Sequence, residues 1–241
     1  MNVHPRRVWA ILRKELREFR RNRSVLFAMA IFPAIFLVQP LVVVFLLPSD
    51  ASGTLAHEHL LLYLLGVPVL ASPVLAAHAV AGERQQGSLE PVLATPIRRE
   101  EFLLGKALAA IGPAMAISYA VYALFLGLVA VFADRGVASA ILQPVDVVAQ
   151  LVFTPLLAGV AIWIGIAVST RSSDARTAQQ VSVLASLPLV LVTTTVAFDV
   201  IHPTLVLALA AAAALGVIDL AGWRLVAPLF DRERLITGTR S

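Results

Sequence analysis

Apolar residues along the chain gather into long blocks, separated by short polar stretches that are mostly basic. Six blocks reach the length of a membrane crossing: 25–47, 60–81, 107–133, 147–168, 181–198 and 204–223. A helix rises about 1.5 Å per residue, so about 20 apolar residues cross a hydrocarbon core of about 30 Å. The third block has length to spare for tilt. The fifth is short, holds Pro188 and Thr193-Thr194-Thr195, and is followed at once by Asp199. Region 181–203 therefore reads either as a full span or as a span that ends early, followed by a re-entrant turn. Ahead of the first block, Val8, Leu12, Leu16 and Phe19 fall on one stripe, with Arg13, Lys14, Arg17, Arg20 and Arg21 opposite. That spacing predicts an amphipathic basic helix over 6–23, of the kind that lies on a membrane surface. The stretch 82–106 is the longest connection. Gly87-Ser88 predicts a turn and cap, Leu89-Glu90-Pro91 the first turn of a short helix that stops before Pro96, and Thr95-Pro96 the cap of a helix running through Arg99, Glu100 and Glu101 into the third span.

Composition agrees with this pattern. The 241 residues are 59% hydrophobic and 14% charged, against about 45–50% and about 25% in an ordinary soluble domain. Mean hydropathy is +0.86. A water-soluble enzyme, a nucleic-acid-binding domain and a disordered chain are excluded as readings. The net charge of +4 and pI near 10.1 reflect basic residues held on the cytoplasmic side. Eighteen of the nineteen Lys and Arg fall in the N-terminal segment, the loops after spans two and four, and the C-terminal tail; only Arg135 falls elsewhere. The fold class is therefore an all-α, multi-pass membrane protein with six spans and both termini cytoplasmic, in the inner membrane if bacterial. Its parts are a cytoplasmic amphipathic helix (1–24), a transmembrane domain (25–223) containing the cytoplasmic loop 82–106, and a cytoplasmic tail (224–241). The outer loops 48–59, 134–146 and 199–203 are too short to fold as domains.

The spans carry little chemistry. Ionisable residues inside a membrane are functional candidates by default, and only His78 and Asp219 stand out, each near the cytoplasmic end of its block. Both read as interfacial residues or, alternatively, as an ion or proton site. A secondary carrier is disfavoured by the absence of matching midplane carboxylates. No metal or protease motif occurs, cysteine is absent, and Glu101-Phe102-Leu103-Leu104-Gly105-Lys106-Ala107 lacks the upstream Gly and the Ser or Thr of a phosphate-binding loop. The chain therefore holds no visible energy source, no catalytic residues and no metal ligands. Small residues recur at Ala161/Gly165/Ser169 and Ala208/Ala212/Gly216, a spacing that suits close helix packing.

The string Gly82-Glu83-Arg84-Gln85-Gln86-Gly87-Ser88-Leu89-Glu90-Pro91-Val92-Leu93-Ala94-Thr95-Pro96, ending in Leu104-Gly105-Lys106, resembles the first cytoplasmic loop of type-two ABC transporter permeases. Arg13-Lys14-Glu15-Leu16-Arg17-Glu18 is similar to the family's connecting helix, and Phe230-Asp231-Arg232-Glu233-Arg234-Leu235 to a frequent C-terminal ending. Pro91 departs from the pattern. The resemblance implies a permease subunit of an ATP-driven exporter, not itself an enzyme, with ATP and Mg on a partner ATPase. It implies two ATP-binding subunits, a second permease (the same chain or a homologue), contact with membrane lipid, and no nucleic acid. It makes 82–106 a coupling loop, with Glu83, Arg84, Gly87, Ser88, Leu89, Glu90 and Leu93 as ATPase contacts and Arg13, Lys14, Glu15 and Arg17 on the connecting helix. The substrate is expected to be hydrophobic or amphipathic, with drug, lipid, peptide, sodium, polysaccharide and haem branches all open and no substrate-binding residue assigned. By the same resemblance the path between two permeases is lined by spans one, two and five, where Pro33, Pro40, Pro68, Pro73 and Pro188 would bend the helices. The alternative function is a membrane scaffold or assembly factor that recruits a cytoplasmic partner.

Overall fold

The structure is a computed structural model and describes residues 4–21, 23–46, 59–87 and 97–229. All regular structure among the described residues is helical. In chain order the helices are α1 (Pro5–Arg21), α2 (Arg23–Leu46), α3 (Leu60–Tyr63), α4 (Gly66–Ala77), α5 (Ala81–Gln85), α6 (Arg99–Phe132), α7 (Arg135–Ile141), α8 (Pro144–Arg171), α9 (Ala175–Ala197) and α10 (Leu205–Val226). Five segments are long and apolar enough to cross a membrane by length and composition: Leu60–Gln85, Arg99–Phe132, Pro144–Arg171, Ala175–Ala197 and Leu205–Leu229. The first expected span falls on α2, whose apolar stretch Pro33–Leu46 is shorter than these.

The second expected span is not one helix but three short ones, α3, α4 and α5, and each break has a local cause. Leu64 and Leu65 form a turn four residues ahead of Pro68, whose ring would collide with the Leu64 carbonyl in a continuous helix. At His78–Val80 the backbone leaves the helix again. There the amides of Val80 and Ala81 donate to Ser169 Oγ at 3.1 and 3.0 Å, while that hydroxyl donates to Ala77 O at 2.7 Å. Pro33, Pro40, Pro73 and Pro188 lie within helices that continue through them.

α3–α5 is the centre of the bundle. Of its membrane-length window 94% is buried, against 6% for α10, which packs mainly on α8. α4 meets α2, α6, α8 and α9. The small-residue stripe of α8 serves this contact: a Cβ at Gly165 would stand 2.6 Å from the Ala76 Cβ. The fifth expected span is a single helix, α9. Its start is capped by Asp174, which accepts from the Thr177 amide at 2.8 Å and the Thr177 hydroxyl at 2.7 Å; these two bonds hold the Asp174 carboxyl below its usual range. Its end closes on Asp199, in the left-handed region at φ 55°. The amides of Val200 and Ile201 turn back onto the Thr195 carbonyl, which satisfies the helix end before α10 begins. The region reads as a span and a tight turn.

Candidate functional site

α1 lies along the first turns of α6. Ile11 and Phe19 are buried there, and Val8 and Leu12 partly so. The stripe expected from apolar spacing is rotated: the residues in its centre are Ile11, Glu15 and Phe19, at i, i+4 and i+8, so a carboxylate sits in the middle of the docking face. Gly105 marks the closest approach, since a Cβ there would stand 2.7 Å from Ile11 Cβ and 3.2 Å from the Val8 carbonyl oxygen.

The residue after Gly105 receives that carboxylate. Lys106 Nζ stands 2.7 Å from Glu15 Oε1 and 2.7 Å from Glu83 Oε1. Lys14 Nζ also hydrogen-bonds Glu83 Oε1, and lies 3.5 Å from Glu15 and 3.2 Å from Glu18. The Lys106, Glu15 and Glu83 side chains are each 5% exposed or less. Two lysines thus balance two buried carboxylates, so neither carboxylate is buried without a counter-charge. Burial lifts the Glu15 carboxyl above its ordinary range against the pull of Lys106 and Lys14. For Lys14 burial works downward, but its hydrogen bond to Glu83 and the charges of Glu15 and Glu83 outweigh it and raise the group. The carboxylates of Glu15, Glu18 and Glu83 lie within 4.8 Å of one another, a spacing that could hold a cation; here the two ammonium groups supply the positive charge.

A second tie fixes the start of α1. The Glu101 carboxylate accepts from the His4 amide at 2.8 Å, the Arg98 amide at 3.0 Å and the Arg7 guanidinium at 3.4 Å. Glu101 is the third residue of α6 and reaches back to the amide of Arg98 at the N-cap, as a glutamate at that position does in a capping box. This helix starts at Arg99; Thr95 and Pro96, the expected cap, lie outside the described residues.

On its other side α5 is held by the end of α8 and the first residue of α9. Arg84 donates to the Ser172 carbonyl at 2.5 Å and to the Thr170 carbonyl at 3.5 Å, and Gln85 Oε1 accepts from the Ala175 amide at 3.4 Å. A guanidinium there satisfies carbonyls that the helix end leaves open and complements its negative dipole end. α5 closes at Gly87, whose amide bonds the Arg84 carbonyl at 3.2 Å with φ 66°, a conformation glycine adopts without strain.

Of the residues singled out in the loop, Glu83 and Arg84 are therefore turned into the protein, and Gly87 forms the turn. Ser88, Leu89, Glu90 and Leu93, with the rest of the expected short helix, lie outside the described residues. On α1, Arg13 and Arg17 are exposed, while Lys14 and Glu15 enter the ion cluster. Sequence reasoning did not find Lys106 as the centre of that cluster, nor Glu101 and Ser169 as its neighbouring ties; the signals were Glu101's place in the first helical turn and Ser169's place in the small-residue stripe. His78 sits in the α4–α5 break, its Cβ 3.3 Å and its Nδ1 3.5 Å from where a Gly82 Cβ would be. Asp219 faces Gly159 of α8, and among the described residues its buried Oδ1 has no hydrogen-bond partner. The site thus joins three chain segments through buried charge, at the foot of a loop that follows the most buried helix in the bundle. A family model described as ABC-2 family transporter protein matches residues 9–215. A comparison with curated proteins finds no match.

Proposed function

The chain belongs to the ABC-2 family of transporter proteins and is a multi-pass membrane permease of an ABC transporter; from that premise we propose that it is the six-span permease subunit of an exporter driven by a separate ATPase. In this reading α2 supplies the first span, and α1, the 82–106 loop and both termini are cytoplasmic. The carrying observation is the buried cluster of Glu15, Glu83, Lys14 and Lys106, which joins α1, the root of the loop and α6 into one unit. A force applied to the loop reaches α4 through α5 and reaches α8 through Arg84 and Ser169. Ser88, Leu89, Glu90 and Leu93 then form the face toward the ATPase, with Gly87 as its turn and Glu83 and Arg84 as its anchored root. Arg13 and Arg17, exposed on α1, extend that face.

Substrate is proposed to be hydrophobic or amphipathic. A groove of about 480 Å³ between α8 and α10, walled by Val148, Val152, Phe153, Leu205 and Leu209, is almost wholly apolar and supports that class. The test is ATP hydrolysis by the co-purified permease–ATPase complex, with and without compounds of this class. Glu90→Ala and Gly87→Val are expected to reach the membrane normally and to lose most of the stimulation. Normal stimulation in both would remove the loop from the coupling role.

A further inference from the structure

α8 carries three polar residues one helical turn apart on the face turned into the bundle. Asp146, Gln150 and Thr154 are each 1% exposed or less. Val145, Val148, Leu151 and Val152 on its other side are exposed and apolar. Four residues advance about 6 Å, so the row runs about 12 Å from the start of α8 toward its middle. At its head, His59 Nδ1 and Asp146 Oδ1 stand 2.8 Å apart, and the His59 side chain is 19% exposed, so this pair meets the surface.

Deeper in, the row has no hydrogen-bond partners among the described residues. Among the described residues, Gln150 Nε2 and Oε1, Thr154 Oγ1 and the Tyr122 hydroxyl of α6 are buried without a hydrogen bond. Tyr122 lies within electrostatic reach of Asp146. Four other buried hydroxyls behave differently: Ser118, Ser182, Ser186 and Thr193 each donate to a carbonyl of their own helix, whereas Ser72 of α4 is unpaired among the described residues. A primary amide offers two donors and an acceptor, and leaving all of them unused in apolar surroundings is costly. Water is the ordinary remedy, since a buried water makes about three hydrogen bonds to such groups. The axial spacing of about 6 Å between successive residues of the row is about two hydrogen-bond lengths, the span of one bridging water.

We propose that Asp146, Gln150, Thr154 and Tyr122 line a file of water inside a single protomer, entered at the His59–Asp146 pair and closed below Thr154. The closure is visible: the same face of α8 continues as Leu157, Ala158, Ala161 and Gly165, buried and apolar, with Gly165 against α4. The file is blind and is not a pore. It stands independently of the export reading, since it rests on one chain and not on a partner.

The natural chain has no cysteine, which makes the test direct. Cysteines are placed singly at Gln150 and Thr154, and at Val148 and Val152 as controls on the exposed face. The full chain in sealed membrane vesicles of each orientation is exposed to silver ion, a small hydrophilic thiol reagent. Protection from alkylation after unfolding is the readout. Cysteines at 150 and 154 are expected to react at least about tenfold faster than those at 148 and 152, because a thiol reacts as thiolate and ionises only where water reaches it. They should do so from the side that also modifies an Asp134→Cys control, and His59→Ala should speed the reaction at 154. Thr154→Cys is nearly isosteric and decides the matter if Gln150→Cys fails to accumulate. Rates at 154 no faster than at 152, or reaction only from the opposite side, would overturn the proposal.

Discussion

Lys106 binds two carboxylates from chain segments 68 residues apart in sequence, and its side chain is 2% exposed. Replacing it by methionine leaves Glu15 and Glu83 sharing Lys14 alone. Breaking a buried pair on one side costs about 3–5 kcal/mol. Lys106→Met is therefore expected to lower the Tm of the purified protein and to open α1 to trypsin at the exposed Arg13 and Arg17. Adding Glu15→Gln and Glu83→Gln should recover most of the loss, since it removes the stranded charges. Glu15 brings a pH signature of its own. Its carboxyl is raised by burial, so the docked junction binds that proton more tightly than undocked chain. The contribution of Glu15 to docking then grows as pH falls toward the ordinary carboxylate value of about 4.3. On acidification toward that value, Tm of the wild type should rise relative to Glu15→Gln; a constant difference would refute the linkage.

At the scale of elements, Ser169 joins the α4–α5 break to α8 with one hydroxyl. Ser169→Ala strands the amides of Val80 and Ala81, at about 1–3 kcal/mol for each buried group left unpaired. The expected outcome is normal membrane insertion with ATP hydrolysis by the assembled complex that no longer responds to substrate, and an intermediate effect for Ser169→Cys. Unchanged stimulation in Ser169→Ala would free the break from any part in coupling. The same break shows where sequence reasoning stops. Positions 60–81 read as one block because Leu64, Leu65, Ala79 and Val80 are as apolar as their neighbours; the interruption comes from Pro68 and from a serine 89 residues beyond Val80. α6, α8, α9 and α10 were legible because length and hydropathy alone define a helix of that kind. The docking face of α1 was only partly so, since nothing near Glu15 announces that its partner is Lys106. Gly87 was legible as a turn, whereas the inward placement of Glu83 and Arg84 needed Lys14, Lys106 and the end of α8.

At the scale of the molecule, the proposed pairing with a second permease is assigned to spans one and five, and both carry outward apolar faces. α2 presents Ile31, Ile35, Val38, Val42 and Phe45, and α9 presents Val181, Leu184, Leu187 and Leu191. These are the first and fifth spans of the proposed permease, and a two-fold contact would bring the same face to itself. The expected assembly is two permeases with two ATP-binding subunits, read by native mass spectrometry of the solubilised complex. An active complex holding a single copy of this chain and no other permease would contradict it.

The central place of α4 has a consequence for how the protein is made. Its neighbours α6, α8 and α9 lie after it in the chain, and the last of them ends at Ala197. At about 5–20 residues per second, the ribosome completes α9 roughly ten seconds after α5 has emerged. Until α6 emerges the future core has only α2 beside it, and until α9 is complete lipid must stand in for the helices still to come. The segment tolerates the delay because its hydropathy, 2.2 over its best window, equals that of peripheral α10. A membrane core that must first survive as a newborn surface is written in the same letters as a surface.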